Sequence, residues 1–123
     1  MTSDPDCIFC KIVRGEIPSK KLHEDDDVLA FHDVRPQAPV HFLIIPKTHV
    51  PTLYDVDASH QRALGKILAL AGELARKAGA NEGFRTIINT GRVGHQEVYH
   101  VHMHVLGGPQ PLGPMLQRSP GRG

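Results

Sequence analysis

Along 98–106 the chain alternates imidazole and apolar side chains, with His100, His102 and His104 interleaved with Val101, Met103 and Val105. Successive side chains of a strand point to opposite faces. The pattern therefore predicts a strand over 98–106, with three imidazoles on one face and a packing surface on the other. Upstream, Ile8, Phe9, Ile12 and Val13 fit a short helix over 7–14, with Asp6 as its N-cap and Gly15 as its stop. Strands are expected over 20–23 and 28–33, separated by the acidic run 24–27, which reads as a solvated turn. A loop with two prolines over 34–39 leads into the apolar run 40–45. That run predicts a central strand, antiparallel to the one before it and stopped by Pro46. Leu64, Ile67, Leu68, Ala71, Leu74, Ala75 and Ala78 follow the helical period. They predict one long helix, capped by Asp57 or Ser59 and ended by Gly79. A fourth strand over 84–88 and a loop over 89–96 precede the histidine strand. Short joins between strands imply an α+β fold: a single antiparallel sheet of about five strands, with the long helix on one face and one short helix besides.

At 123 residues the chain suits a single domain over 1–123, with a core over 7–108 and a Pro/Gly-rich tail over 109–123 that is expected to be irregular beyond Met115. The formal net charge is +1 with the charges mixed, so no basic stripe suited to nucleic acid is present. The longest apolar runs are far shorter than a membrane span, and residues 1–6 are polar without a basic start. A cytoplasmic protein without nucleic-acid or membrane partners is the expectation. Nine histidines are the compositional oddity.

Three rings spaced about 6.5 Å apart along one strand face can surround a small anionic group, or divide between a metal and a substrate. A neutral imidazole can attack phosphorus and form a covalent phosphoramidate. Its ordinary pKa of about 6.5 leaves it mostly unprotonated at neutral pH. Backbone N–H groups of the glycine-containing loop just upstream, with Gly91 and Gly94, could hold phosphoryl oxygens. An ordinary turn explains those two glycines equally well.

His100 through Leu106 resembles the signature of the histidine triad family. The resemblance extends through Phe31-His32-Asp33, Gln37-Ala38-Pro39, His41-Phe42-Leu43, Pro46-Lys47, Asn89, Gln96 and Tyr99 through Gly108, and points to the Hint branch. It implies a homodimer whose sheets join and a site for a purine nucleotide such as AMP. It also implies hydrolysis of nucleoside 5′-phosphoramidates through a nucleotidyl-histidine intermediate, with no metal required at phosphorus. By the same resemblance His102 is the nucleophile, His104 contacts phosphate oxygens and the departing amine, and His41 supports the imidazole network. Asp33 would accept bonds from the ribose hydroxyls, a task suited to two carboxylate oxygens. Asn89 and the backbone of Gln96 and Glu97 fall where the family holds the α-phosphate. Phe9, Ile12, Ile17, Phe31, His32 and Leu43 fall where it encloses the base, although plain core packing accounts for each apolar member. Two departures stand out. His95 and Glu97 occupy positions where many relatives place Gly and Ser, so Glu97 is expected to turn away from the phosphate and offer only its N–H. The tail also lacks an aromatic residue that some relatives place near the partner protomer's site.

Cys7-x-x-Cys10 supplies half of a tetrahedral zinc site, which two histidines would complete. His23, His32, His41, His49, His60, His95 and His100 are the candidates. His49 and His100, both expected at strand ends near the N-terminal helix, are the choice that the resemblance also implies. A structural zinc held by Cys7, Cys10, His49 and His100 would fix the backbone next to His102. A redox pair and two inert thiols are the other readings of the cysteines. Rival functions are hydrolysis or nucleotidyl transfer on dinucleoside polyphosphates, and a non-catalytic, zinc-stabilised nucleotide-binding module. Activity is expected to fall as His102 becomes protonated.

Overall fold

A computed structural model describes residues 3–116. Helix α1, Ile8–Val13, is followed by strands β1, Lys21–Glu24, β2, Val28–His32, and β3, Val40–Pro46. Helix α2, Gln61–Lys77, then leads to β4, Phe84–Ile87, and β5, Met103–Gly107. The strands form one antiparallel sheet in the order β1-β2-β3-β5-β4, the fold class that the pattern implies. The part of the tail expected to be irregular lies, past Leu116, outside the described residues.

The sheet is covered on both faces. Val28, Ala30, Phe42, Ile44, Met103 and Val105 pack against Ile67, Ala71, Leu74 and Ala75 of α2. The alternate residues Leu29, Phe31, Leu43 and Ile45 pack against Phe9 and Ile12 of α1. Every residue of β3 is therefore buried, which explains why its apolar run is unbroken instead of alternating. Each fully buried large apolar side chain contributes about 1.5–3 kcal/mol, so β3 is the spine of the domain.

The local departures have chemical reasons. The cap of α1 is Cys7, not Asp6: its Sγ accepts the Cys10 N–H at 3.4 Å. Before α2 a 3₁₀ turn over Ala58–His60 intervenes, and Asp57 caps that turn through the Ser59 N–H, so neither expected residue caps the long helix itself. The acidic run is more than a solvated turn. Asp25 accepts the N–H groups of Asp27 and Val28, and Asp27 accepts from Arg62 and Lys66 of α2, tying the turn to the helix.

The histidine strand is shorter than its alternation predicts. Its ladder begins at Met103, opposite Ile44, and residues 98–102 run into it as bends and extended chain. Continuing the register would set Val101 opposite Pro46, which has no N–H to give. The Val101 N–H instead donates to the Val50 carbonyl at 2.8 Å. His100 and His102 are thus released from the sheet while His104 stays in it.

Candidate active site

His41 on β3 and His104 on β5 project from neighbouring strands on the face covered by α1. His102 lies beside them, its ring centroid 5.0 Å from that of His104. The backbone fixes the protonation pattern of all three rings. The Gln37 N–H donates to His41 Nδ1 at 2.9 Å, so the proton of neutral His41 sits on Nε2. Nε2–H then donates to His104 Nδ1 at 2.9 Å, which leaves His104 with a free Nε2–H. His102 has the opposite assignment of roles: its Nδ1–H donates to the His100 carbonyl at 2.8 Å, so Nε2 carries an unshared electron pair. One ring thus presents a bare nitrogen and the adjacent ring an N–H donor.

Electrostatics keeps the rings neutral. Burial pushes His102 below the ordinary imidazole value, against the opposing pull of the His100 carbonyl, Asp33 and Glu97. Burial, together with His102 and His41, takes His104 down to about 4. His41 is also lowered by burial, with Asp33 opposing. Asp33 Oδ2 stands 3.4 Å from His41 Nε2, and its Oδ1 accepts the Arg35 N–H at 2.7 Å. Asp33, His41 and His104 have donor atoms close enough to surround an ion. Because the Gln37 N–H occupies Nδ1 of His41, Nε2 is protonated, and this trio is a hydrogen-bond relay instead of a ligand set.

The remaining residues singled out in the sequence divide into two groups. Phe9, Ile12, Phe31 and Leu43 are buried in one cluster with Ile17 packed against it. Phe9 meets His102 edge-on, with centroids 5.1 Å apart. His32, last in β2, is exposed and does not join that cluster. Asn89 is half-buried at the start of the loop, and His95 and Glu97 are exposed. Gln96 corrects the expectation for its backbone. Its N–H is taken by the Gly91 carbonyl, and its buried side chain accepts from the Gly91 N–H and donates to the Pro51 and Val98 carbonyls. It is the pin of the loop, and its amide is not free for a phosphate. Gly94 is obligatory, because a Cβ there would lie 2.5 Å from the Thr90 carbonyl oxygen.

A second constellation adjoins the first. Of the seven histidine candidates, His49 and His100 are the two that meet the cysteines. His100 Nδ1 lies 3.4 Å from Cys7 Sγ and 3.6 Å from Cys10 Sγ. His49 Nδ1 lies 3.4 Å from Cys10 Sγ and 3.3 Å from His100 Nδ1. A tetrahedral ion bonded at about 2.3 Å to sulfur and about 2.0–2.1 Å to nitrogen requires separations of about 3.5 Å for N···S and about 3.3 Å for N···N. The four residues fit. The His100 Nε2–H donates to the Pro46 carbonyl at 2.7 Å, so its Nδ1 presents a lone pair to the centre. Burial holds His100 down to about 4, in the neutral form a ligand must have. His23 and His60 instead pair with Asp25 and Asp57, away from this cluster. Sequence reasoning missed Gln37 and Pro46 as contributors, since each acts through its backbone and leaves no side-chain signature.

The profile of the HIT domain matches residues 14–110. The chain belongs to the HIT family. Among its HIT relatives is the purine nucleoside phosphoramidase of Escherichia coli K12, 56% identical over 110 residues that cover 89% of this chain and 92% of that one. A HIT family hydrolase from Legionella pneumophila is similar in structure with a TM-score of 0.83 at 49% identity, covering 89% of this chain and 98% of the other. Another, from Clostridium thermocellum, gives 0.87 at 39%, covering 93% and 100%. The resemblance read from His100–Leu106 and its outlying motifs is therefore one of descent, across nearly the whole described fold. Among the described residues no helix is long and apolar enough to cross a membrane.

Proposed function

We propose that this HIT protein hydrolyses purine nucleoside 5′-phosphoramidates, with His102 as nucleophile. The observation that carries the reading is the opposed tautomers of neighbouring rings: His102 offers a bare Nε2, and His104 offers Nε2–H. In line attack by His102 Nε2 on the α-phosphorus forms a P–N bond to the ring as the P–N bond to the substrate amine breaks. The departing amine takes the His104 proton, which His41 Nε2–H can replace. Water then attacks phosphorus and displaces His102, its proton restoring the one that the His41–His104 pair gave to the amine, and the nucleoside monophosphate is released. Such a pathway splits one difficult displacement into two. The identity to a curated purine nucleoside phosphoramidase supports this substrate class.

Asp33 is read as the ribose anchor, with room beyond its bonds to Arg35 and His41 for two hydroxyl donors. Phe9, Ile12, Ile17, Phe31 and Leu43 are read as the base pocket, with His32 at its rim. Asn89 and the Glu97 N–H are read as phosphate contacts, and His95 as a further substrate-binding residue of the same loop. Cys7, Cys10, His49 and His100 would hold a zinc ion, whose role when bound is to cross-link α1 to the chain leading into β5. The 1–123 chain is read as a single HIT domain acting in the cytoplasm. A homodimer formed by sheet continuation is supported by β4, an edge strand with Phe84 41% exposed.

Steady-state comparison of an adenosine phosphoramidate with a dinucleoside polyphosphate at equal concentration tests the assignment. Faster release of AMP from the phosphoramidate is expected. Preference for the polyphosphate would move the chain to the other branch of HIT chemistry, and turnover of neither would make it a binding module.

A further inference from the structure

In a neutral imidazole that binds metal through Nδ1, the proton sits on Nε2 and needs an acceptor of its own. For His100 that acceptor is the Pro46 carbonyl. For His49 the group facing Nε2 is the carboxylate of Asp4, with Oδ2 at 3.8 Å. The carboxylate is held in place by the Asp6 N–H, which donates to Oδ1 at 2.8 Å and leaves Oδ2 to His49. The backbone of the same residue reaches both cysteines. Its N–H donates to Cys10 Sγ at 3.4 Å, and its carbonyl accepts the Cys7 N–H at 3.2 Å. One residue of the segment before α1 thus hydrogen-bonds two of the four candidate ligands and sets its carboxylate 3.8 Å from a third.

We infer that Asp4 is a positioning residue of the metal centre, orienting His49 through its carboxylate and steadying the Cys10 thiolate through its amide. This rests on the zinc reading above. The carboxylate also makes Nδ1 of His49 a better donor, because negative charge at Nε2–H raises the electron density of the ring. The backbone contacts survive any side-chain change, so Asp4→Asn removes the charge alone. Asp6→Asn is the control: it removes an equal charge two residues away, and Asp6 contributes only its backbone N–H to the arrangement.

The test is titration with Co²⁺ against a chromophoric chelator, read through the thiolate-to-cobalt absorption, together with melting of the metal-free proteins. Asp4→Asn is expected to keep one cobalt and its thiolate absorption but to bind about 10- to 100-fold more weakly, the usual loss for an outer partner of a metal-bound histidine. Asp6→Asn is expected to bind like wild type, and the metal-free melting temperature of Asp4→Asn to be unchanged. Equal affinity of Asp4→Asn and wild type overturns the assignment. So does an equal loss in Asp6→Asn, which would indicate a general field, or a lowered metal-free melting temperature, which would indicate plain packing. A wild-type chain that takes up no cobalt overturns the zinc reading and this inference together, while leaving phosphoramidate hydrolysis standing.

Discussion

The chemistry of the site turns on which nitrogen of each ring holds its proton, and three backbone groups decide it: the Gln37 N–H, the His100 carbonyl and the Pro46 carbonyl. None of these was legible in the sequence, since a backbone donor is present at every residue and only the fold aims it. The histidines themselves were legible because their alternation is improbable as a solvated face. The lowered pKa values change one expectation drawn from composition. His102 and His104 must be neutral to act as nucleophile and donor, and both resist protonation. The acid limb of kcat/KM should therefore lie below about 6.5, the ordinary imidazole value, with activity retained at mildly acidic pH and lost further down. A pH profile with its limb at or above that value would contradict the burial argument. Asp33→Ala should weaken binding of a ribonucleotide more than of its 2′-deoxy counterpart, measured by calorimetry. Equal losses for both sugars would remove Asp33 from the ribose. His95 is at φ 61, in the left-handed region that favours glycine. The resemblance leads to the expectation of glycine at that position, and a residue without a Cβ takes this conformation more easily.

At the scale of elements, periodicity located both helices and all five strands, and it failed where a single residue overrode it. Pro46 could be read as the end of β3, but its missing N–H also cuts short β5, a strand that pairs with it from more than fifty residues away. Such a consequence depends on register, which the hydrophobic pattern does not contain. Cys7 was read as a ligand and Asp6 as a cap, whereas Cys7 also caps α1. One sulfur thereby couples the helix start to the metal centre. Removal of metal should loosen α1 and the chain before β5 at once, because the four candidate ligands come from α1 and its N-cap, from the segment after β3 and from the segment before β5. Dialysis against a chelator is expected to lower the melting temperature, with restoration by stoichiometric zinc. An unchanged melting temperature, with zinc shown to be gone, would contradict a structural role.

Across the whole molecule, the two covered faces of the sheet divide the labour. The α2 face carries the larger core, including Ile67, Leu74, Phe42 and Ile44. The α1 face pairs its smaller core with every ring of the site, and Phe9 contacts both His100 and His102. The candidate metal ligand His100 and the proposed nucleophile His102 are therefore two residues apart on one chain and share one packing aromatic. That joint arrangement was visible in the sequence only as two separate motifs ninety residues apart, and packing of α1 on the sheet, with Phe9 against His100 and His102, brings them together. Rapid-quench mass spectrometry with an adenosine phosphoramidate tests the account most directly. A nucleotidyl adduct on His102 should form and decay within turnover in the wild type, and should be absent from His102→Ala, which should still bind AMP. Turnover at an undiminished rate in His102→Ala, or an adduct mapped to another side chain, would contradict it.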